Sequence, residues 1–121
     1  MKQAMTDASQ RARDRVLETL SLLASEEKQR DYQRAVPHVH VPAELFNQWN
    51  DCYFPQDVDF GAGFSASELA ALAHFDGVFL RVCDDTPQEL PAPDEFLATE
   101  AWQALATAAR AVLSALGVDA M

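Results

Sequence analysis

The sequence predicts an all-α fold, a single compact bundle of about four helices joined by loops that contain proline or glycine. Two observations support this prediction. Apolar residues recur at spacings of three and four in four stretches of the chain, and proline and glycine cluster between those stretches. The chain has 121 residues, a length that is sufficient for one hydrophobic core and too short for two. Of these residues, 49% are hydrophobic. We therefore predict one helical domain over residues 1–121, with residues 1–5 as a disordered tail.

The first predicted helix covers residues 6–34, with Thr6 or Asp7 as its N-cap. One face repeats at helical spacing and consists of Ala12, Val16, Leu20, Leu23 and Ala24. Residues 26–31 are all polar, so the helix either continues there as a solvated extension or breaks. It must end before Pro37, because a residue that precedes proline is disfavoured in helical conformation.

The second predicted helix begins at Pro42 and is closed by Pro55. Its apolar face is formed by Leu45, Trp49, Cys52 and Tyr53. Before it, residues 36–41 alternate valine with histidine and proline, a pattern that hints at an edge strand or an extended linker. After it, residues 56–64 contain Gly61 and Gly63 and are predicted to form a loop.

The third predicted helix begins with a capping box formed by Ser65 and Glu68. Its apolar residues are Leu69, Leu72, Phe75, Phe79 and Val82. Residues 78–83 are rich in strand-forming types, so a strand competes there, but the helical spacing continues and favours helix.

The fourth predicted helix follows a linker with three prolines and has Asp94 as its N-cap. Its apolar stripe is the most regular in the chain and consists of Trp102, Leu105, Ala109, Val112 and Leu116. Gly117 stands where a helix C-terminus would be expected.

The charge is strongly acidic and unevenly distributed along the chain. There are 9 Lys and Arg against 19 Asp and Glu, a net charge of −10. Residues 1–34 have a net charge of about +1, and residues 35–121 have a net charge of −11 with only Arg81 and Arg110 as basic residues. Such a charge argues against a nucleic-acid ligand and an anionic membrane surface. It fits either simple solubility or a negative surface that steers a basic protein partner.

The sequence also predicts a cytoplasmic protein. No apolar run approaches the ~20 residues of a transmembrane helix, and the first fifteen residues are polar. Cys52 and Cys83 are too few for a disulfide framework and are predicted to be reduced thiols.

No motif indicates an enzyme, and we predict no catalytic residue and no cofactor. A reactive thiol needs a helix N-terminus or a cationic neighbour. Cys52 follows Asp51 near a predicted helix C-terminus, and Cys83 precedes Asp84, so both thiols are expected to have a raised pKa.

Two arrangements could suggest a metal, and neither is persuasive. Asp57, Asp59 and Glu68 fall at positions 1, 3 and 12 of a calcium loop, but the glycine required at position 6 is absent. His38 and His40 would share one side of an extended segment, but no further ligand stands at zinc-site spacing. A pair of surface histidines is the favoured interpretation, and no metal site is predicted.

The acidic clusters lie in the predicted loops, and aromatic residues surround residues 52–64. Most of these aromatic residues are expected to be core residues, with one or two exposed anchors for a partner as the alternative. Phe60 and Leu90 are the predicted apolar anchors for a partner. The candidate partner-binding residues are Asp57, Asp59, Phe60, Asp84, Asp85, Glu89, Leu90, Asp94 and Glu95.

Three segments resemble small immunity proteins of bacterial contact-dependent growth inhibition systems. They are residues 44–53 (ELFNQWNDCY), residues 64–69 (FSASEL) and residues 99–102 (TEAW), within a resemblance over about residues 40–117. The resemblance implies a cytoplasmic protein that binds and blocks the toxic C-terminal nuclease domain of a delivered toxin. It transfers no functional residue, because these families share none that can be placed in this chain.

Electrostatics agrees with this interpretation, because a nuclease cleft that holds a polyanion is electropositive and can accept an acidic surface instead. Two alternatives remain open. One is a structural or adaptor domain that self-associates through its last helix, so the chain could be a monomer or a homodimer. The other is an enzyme or a metal-binding protein built on His38, His40 and the loop that contains Asp57 and Asp59.

Overall fold

The computed structural model describes residues 6–85 and 93–117, with the side chains of Asp85, Pro93 and Asp94 excepted. These residues form seven helices and no strand, which confirms the all-α prediction. The helices are α1 (Asp7–Ala24), α2 (Glu26–Ala35), α3 (Val41–Cys52), α4 (Val58–Ala62), α5 (Ala66–Asp85), α6 (Pro93–Leu97) and α7 (Glu100–Ala115). The predicted number of about four helices is not confirmed, and the predicted tail at residues 1–5 lies outside the described part.

The first predicted helix is two helices that meet at Ser25. Thr6 caps α1, since its hydroxyl accepts a hydrogen bond from the Ser9 amide at 3.0 Å. Ser25 has an extended backbone, which ends α1, and its hydroxyl accepts from the Lys28 amide at 3.1 Å, which starts α2. The buried Gln29 then donates to the Leu22 carbonyl at 3.0 Å and holds α2 against the end of α1. The chain therefore breaks at Ser25 and does not continue as one helix.

Residues 36–40 connect α2 to α3 through a turn, so of the two alternatives, an edge strand or a linker, the edge strand is wrong. Gln33 organises this turn because its amide group donates to the Val36 carbonyl and accepts from the Val41 amide at 3.1 Å. His40 caps α3, with Nδ1 accepting from the Ala43 amide at 3.2 Å. In this alternation of valine and histidine, His40 is thus the N-cap of a helix and not part of a strand.

The predicted loop at residues 56–64 contains the short helix α4. Asp57 caps it, since one carboxylate oxygen accepts from the Phe60 amide at 3.0 Å. Phe60 then turns inward and is only 2% exposed. Gly63 follows in tight contact with α1, because a Cβ atom there would lie 2.8 Å from the Ser9 carbonyl oxygen.

Helix α5 matches the third predicted helix, including residues 78–83. The capping box is confirmed: Ser65 Oγ accepts from the Glu68 amide at 3.2 Å, and Glu68 Oε1 accepts from the Ser65 amide at 2.8 Å.

The predicted last helix is divided into α6 and α7. Thr99 caps α7 by accepting from the Trp102 amide at 3.2 Å, so the residue predicted as the cap, Asp94, lies within α6 instead. Gly117 has a φ of +76° just after α7, which confirms it as the C-terminal stop.

The core lies where α7 packs against both α1 and α5, with α3 against α1 and with its aromatic residues against α5. Its largest fully buried side chains are Trp49, Trp102, Phe60, Phe75, Phe79, Phe96, Leu20, Leu23, Leu45, Leu72, Leu105 and Leu113. Burial of these side chains is the main driving force for this arrangement of helices.

Arg13 joins α1 to the junction between α4 and α5. Its guanidinium donates to the Gly63 carbonyl at 3.0 Å and to both carboxylate oxygens of Glu68 at 3.1 and 3.2 Å. It also lies 5.3 Å from the centroid of the Phe64 ring. The hydrogen bonds from Arg13, followed by those from Ser65, hold the pKa of Glu68 below its usual value despite partial burial. The ion pair and the capping box therefore depend on the same ionised carboxylate.

We expect Glu68→Gln to lower the free energy of unfolding by about 1–2 kcal/mol at neutral pH, because glutamine keeps the capping acceptor but loses the ion pair. A carboxyl with a lowered pKa in the folded state stabilises the fold above its unfolded pKa, and this contribution disappears as the pH falls through the folded pKa. The difference in unfolding free energy between wild type and variant should therefore shrink as the pH falls below 4.5, the ordinary pKa of a glutamate. Urea unfolding across pH measures it. The exposed Glu27→Gln is the control, and a constant difference for Glu68→Gln down to pH ~2 would contradict the account.

Candidate functional site

Three of the six basic side chains in the first two helices form ion pairs within the molecule. Arg13 pairs with Glu68, Arg30 pairs with Glu26 at 2.8 Å, and Arg34 pairs with Asp31. The sequence after Arg34 contains only two basic residues, both arginines, and thirteen acidic residues. The negative excess of the chain therefore belongs to the part that begins with the α3 segment.

Four predicted partner-binding carboxylates are described, and all four are exposed: Asp57, Asp59, Asp84 and Glu95. Among the described residues, none of the four has an ion-pair partner. Their charge is therefore available to a partner, apart from the hydrogen bond by which Asp57 caps α4. The predictions for Glu89 and Leu90, and for the side chains of Asp85 and Asp94, lie outside the described part of the chain.

The structure separates these carboxylates into two clusters. Helix α3 runs antiparallel to α5, because Phe46 contacts Phe79 at 5.2 Å between ring centroids and Trp49 contacts Phe75 at 4.7 Å. The end of α3 that leads to Asp57 and Asp59 therefore lies near the start of α5, and Asp84 lies at the far end of α5.

Glu95 belongs with Asp84. Phe96, which follows Glu95 in α6, contacts Phe46 at 5.8 Å and so brings α6 to the far end of α5. The two clusters therefore lie toward opposite ends of α5, which has 20 residues and a length of about 30 Å at 1.5 Å of rise per residue. An ordinary interface covers about 800 Å² on each partner, and a patch of that area is wide enough to include both clusters.

A further carboxylate, Asp76, lies between the two clusters on α5. Its Oδ1 accepts a hydrogen bond from the buried indole of Trp49 at 3.0 Å. The pKa of Tyr53 is raised, first by burial and then by the Asp76 carboxylate. Asp76 also contributes to the raised pKa of Cys83, after burial and Asp84. The Asp76 carboxylate therefore links α5 to α3 through the indole of Trp49.

Sequence reasoning missed Asp76, because a single carboxylate in a helix is usually a solvated residue. The available signal was Trp49, since a buried indole N–H needs an acceptor.

The prediction that Phe60 is an exposed anchor is wrong. Phe60 is only 2% exposed and contacts the rings of Tyr53 at 5.6 Å and Phe64 at 5.0 Å. Among the described aromatic residues of this region, Phe54 is the exposed one, at 51%, as the alternative to an entirely buried set allowed. Val58, on the first turn of α4, is 84% exposed.

An open depression of about 600 Å³ lies beside Phe54. It is lined by Tyr53, Phe54, Pro55, Gln56 and Asp57, which are the residues of the connection from α3 to α4. This connection therefore combines a concave surface, exposed apolar groups and carboxylates.

Neither cysteine is in surroundings that activate a thiol. Cys52 is buried, which raises its pKa more than its hydrogen bond to Thr19, at 3.9 Å, lowers it. Burial and the carboxylates of Asp84 and Asp76 raise the pKa of Cys83. The predicted direction of both pKa shifts is confirmed, and at neutral pH both groups are thiols rather than nucleophilic thiolates.

Within residues 6–85 and 93–117, no three His, Cys, Asp or Glu side chains are placed to hold a metal ion. Two of the three calcium-loop residues have other partners, since Asp57 caps α4 and Glu68 binds Arg13. His40 caps α3, and His38 is exposed.

Comparison with protein-family models, curated proteins and solved structures gives no match to this chain. In the described part, no helix has both the length and the apolar character needed to cross a bilayer.

Proposed function

We propose that this chain is an immunity protein that acts in the cytoplasm, where it binds and neutralises a cognate nuclease toxin through its acidic surface. The observation that carries the proposal is the set of exposed carboxylates without ion-pair partners among the described residues, namely Asp57, Asp59, Asp84 and Glu95. The resemblance of residues 44–53, 64–69 and 99–102 to immunity proteins of contact-dependent growth inhibition systems supports it.

The mechanism that we propose is electrostatic exclusion of the nucleic acid. A nuclease concentrates cations in the cleft that receives its polyanionic substrate. A protein with a net charge of −11 beyond Arg34 is attracted to such a cleft over distances of about 8–10 Å at cellular salt. Attraction of this kind accelerates the encounter and orients the two proteins. Occupation of the cleft then denies access to the substrate.

Self-association through α7 is less well supported by the placement of its side chains. The leucines that could have joined two copies, Leu105, Leu113 and Leu116, are buried within the molecule. The exposed face of α7 carries small and polar residues instead, namely Gln103, Ala104, Thr107, Arg110, Ala111 and Ser114. Stable homodimers usually bury a more apolar surface than this.

A growth experiment tests the proposal. The reading frame next to the gene of this chain should encode a basic nuclease domain, and expression of that domain should stop bacterial growth. Co-expression of this chain should restore growth, and the two purified proteins should form a complex without nuclease activity. An adjacent product that is not a nuclease, or growth arrest that persists despite soluble expression of both chains, would contradict the proposal.

We expect the double variant Asp84→Asn, Glu95→Gln to associate with the toxin domain about three to ten times more slowly at low salt, with little change in the dissociation rate. Both carboxylates are exposed, so their neutralisation should not affect folding. Stopped-flow fluorescence measures the two rates. The control, Glu18→Gln with Glu27→Gln, changes the net charge equally on α1 and α2. Equal slowing by the control would show that only total charge matters, against a localised contact.

A further inference from the structure

The connection between α3 and α4 and the first residue of α4 expose two large apolar side chains. Phe54 is 51% exposed and Val58 is 84% exposed, whereas the next aromatic residues on either side, Tyr53 and Phe60, contact each other and the core. Inside the molecule, Phe54 and Val58 are therefore not needed as core residues. We call residues 51–59 the anchor turn.

Hydrogen bonds and ring packing define the conformation of the anchor turn. The Asp57 amide donates to the Phe54 carbonyl at 3.0 Å, which closes a β-turn with Pro55 at its second position, where proline restricts the backbone. The carboxylate of Asp57 fixes the start of α4. At the other side, the Tyr53 ring stacks on Trp49 with 4.8 Å between centroids. Because the backbone is already ordered, a partner that binds here meets a small entropic cost.

The charge around the anchor turn is negative. Asp51, Asp57 and Asp59 are exposed, and among the described residues none of them forms an ion pair. The nearest cation with a contact to the turn is Arg15, which donates to the Asp51 carbonyl at 3.3 Å. An exposed apolar pair within a negative surface is complementary to a positively charged protein segment that carries an apolar side chain.

We propose that Phe54 and Val58 are the apolar anchor of a docking surface for a segment of a cationic partner protein. The segment would place an apolar side chain against this pair and its Lys or Arg side chains against Asp51, Asp57 and Asp59. An anionic membrane, a nucleic acid and a second copy of this chain would each bring negative charge to these carboxylates, which disfavours all three. The identification of the partner with a toxin domain rests on the proposed function, but the chemistry of the surface can be tested without it.

The test is an NMR titration of the full ¹⁵N-labelled chain with the capped peptide KKLFKK. We expect amide shift changes that are centred on residues 51–60. Phe54→Ser combined with Val58→Ser should weaken peptide binding at least tenfold. Leu80→Ser, which removes a side chain of similar exposure (54%) from α5, should change it less than twofold. Thermal unfolding by circular dichroism verifies that the variants are folded.

Three results would overturn the inference: shift changes centred on Leu80, equal binding by the Phe54 and Val58 variant, or equal binding of the peptide KKSSKK, in which charge alone remains. The two proposals can fail separately. If the anchor turn binds KKLFKK but no nuclease is neutralised, only the proposed function fails. If a nuclease is neutralised equally well by the Phe54 and Val58 variant, only the anchor fails.

Discussion

We expect Trp49→Ala to lower the free energy of unfolding by about 4 kcal/mol, the largest effect of any substitution considered for this chain. Trp49 is fully buried at the junction of α3 and α5. Its ring stacks on Tyr53 at 4.8 Å and meets the edge of Phe75 at 4.7 Å, and its N–H donates to Asp76 at 3.0 Å. Alanine would leave a cavity that several rings border, and the helices on both sides could close it only in part.

Urea unfolding followed by circular dichroism measures this effect. The control is Phe54→Ala, which removes an aromatic ring from the surface five residues away and should change stability by no more than about 0.5 kcal/mol. If Trp49→Ala cost as little as the control, the seam between α3 and α5 would not be part of the core.

The second large effect is expected at Gly63, where alanine should destabilise the fold by about 2–3 kcal/mol. The added methyl group would lie 2.8 Å from the Ser9 carbonyl oxygen and 3.3 Å from the Phe60 carbonyl oxygen. Both are backbone atoms of packed helices, so α1 and α4 would have to separate. Separation would also lengthen the hydrogen bond from Arg13 to the Gly63 carbonyl. The φ of Gly63 is −80°, which alanine adopts readily, so the effect isolates the close approach.

Gly77→Ala is the matched control, with an effect of opposite sign. Gly77 is an exposed residue within α5, and a Cβ atom there would meet nothing within 4 Å. Alanine should therefore stabilise the fold by about 0.5–1 kcal/mol, because glycine weakens a helix interior. Thermal unfolding of both variants measures the two changes in stability. A neutral Gly63→Ala would contradict the close packing of α1 against the residues that follow α4.

Each long apolar stripe in the sequence corresponds to a helix in the structure. Periodicity predicts α3, α5 and α7 well, because each buries one face against neighbours on several helices. The capping box at Ser65 and Glu68 and the stop at Gly117 were also predictable, since each depends on backbone groups only a few residues away.

The break between α6 and α7 is not predicted by the sequence pattern, and the break at Ser25 is only one of two alternatives that the pattern leaves open. Ser25 and Thr99 each end one helical segment and begin the next by accepting a single amide hydrogen bond, a local signal that a continuous apolar or polar stretch conceals. Helix α4 has five residues, too few for any periodicity, so Phe60 was assigned to the surface although it belongs to the core. Long-range packing decides such short elements.

The candidate surface was predictable in its charge and not in its shape. The net charge of the chain beyond Arg34 follows from the sequence, as does the exposure of acidic side chains. The division into two clusters follows from the antiparallel contact of α3 with α5, and the place of Asp76 follows from its bond to Trp49. Both depend on contacts between residues that are distant along the chain.

The salt dependence of binding tests the central claim, that this chain recognises a cationic nuclease domain through its acidic surface. The association rate constant should be measured by stopped flow with a catalytically inactive form of the adjacent toxin domain, between about 20 mM and about 500 mM NaCl. We predict that this constant falls at least tenfold over this range while the dissociation rate changes little. An association rate that is independent of salt, or no complex at about 20 mM NaCl, would contradict the claim.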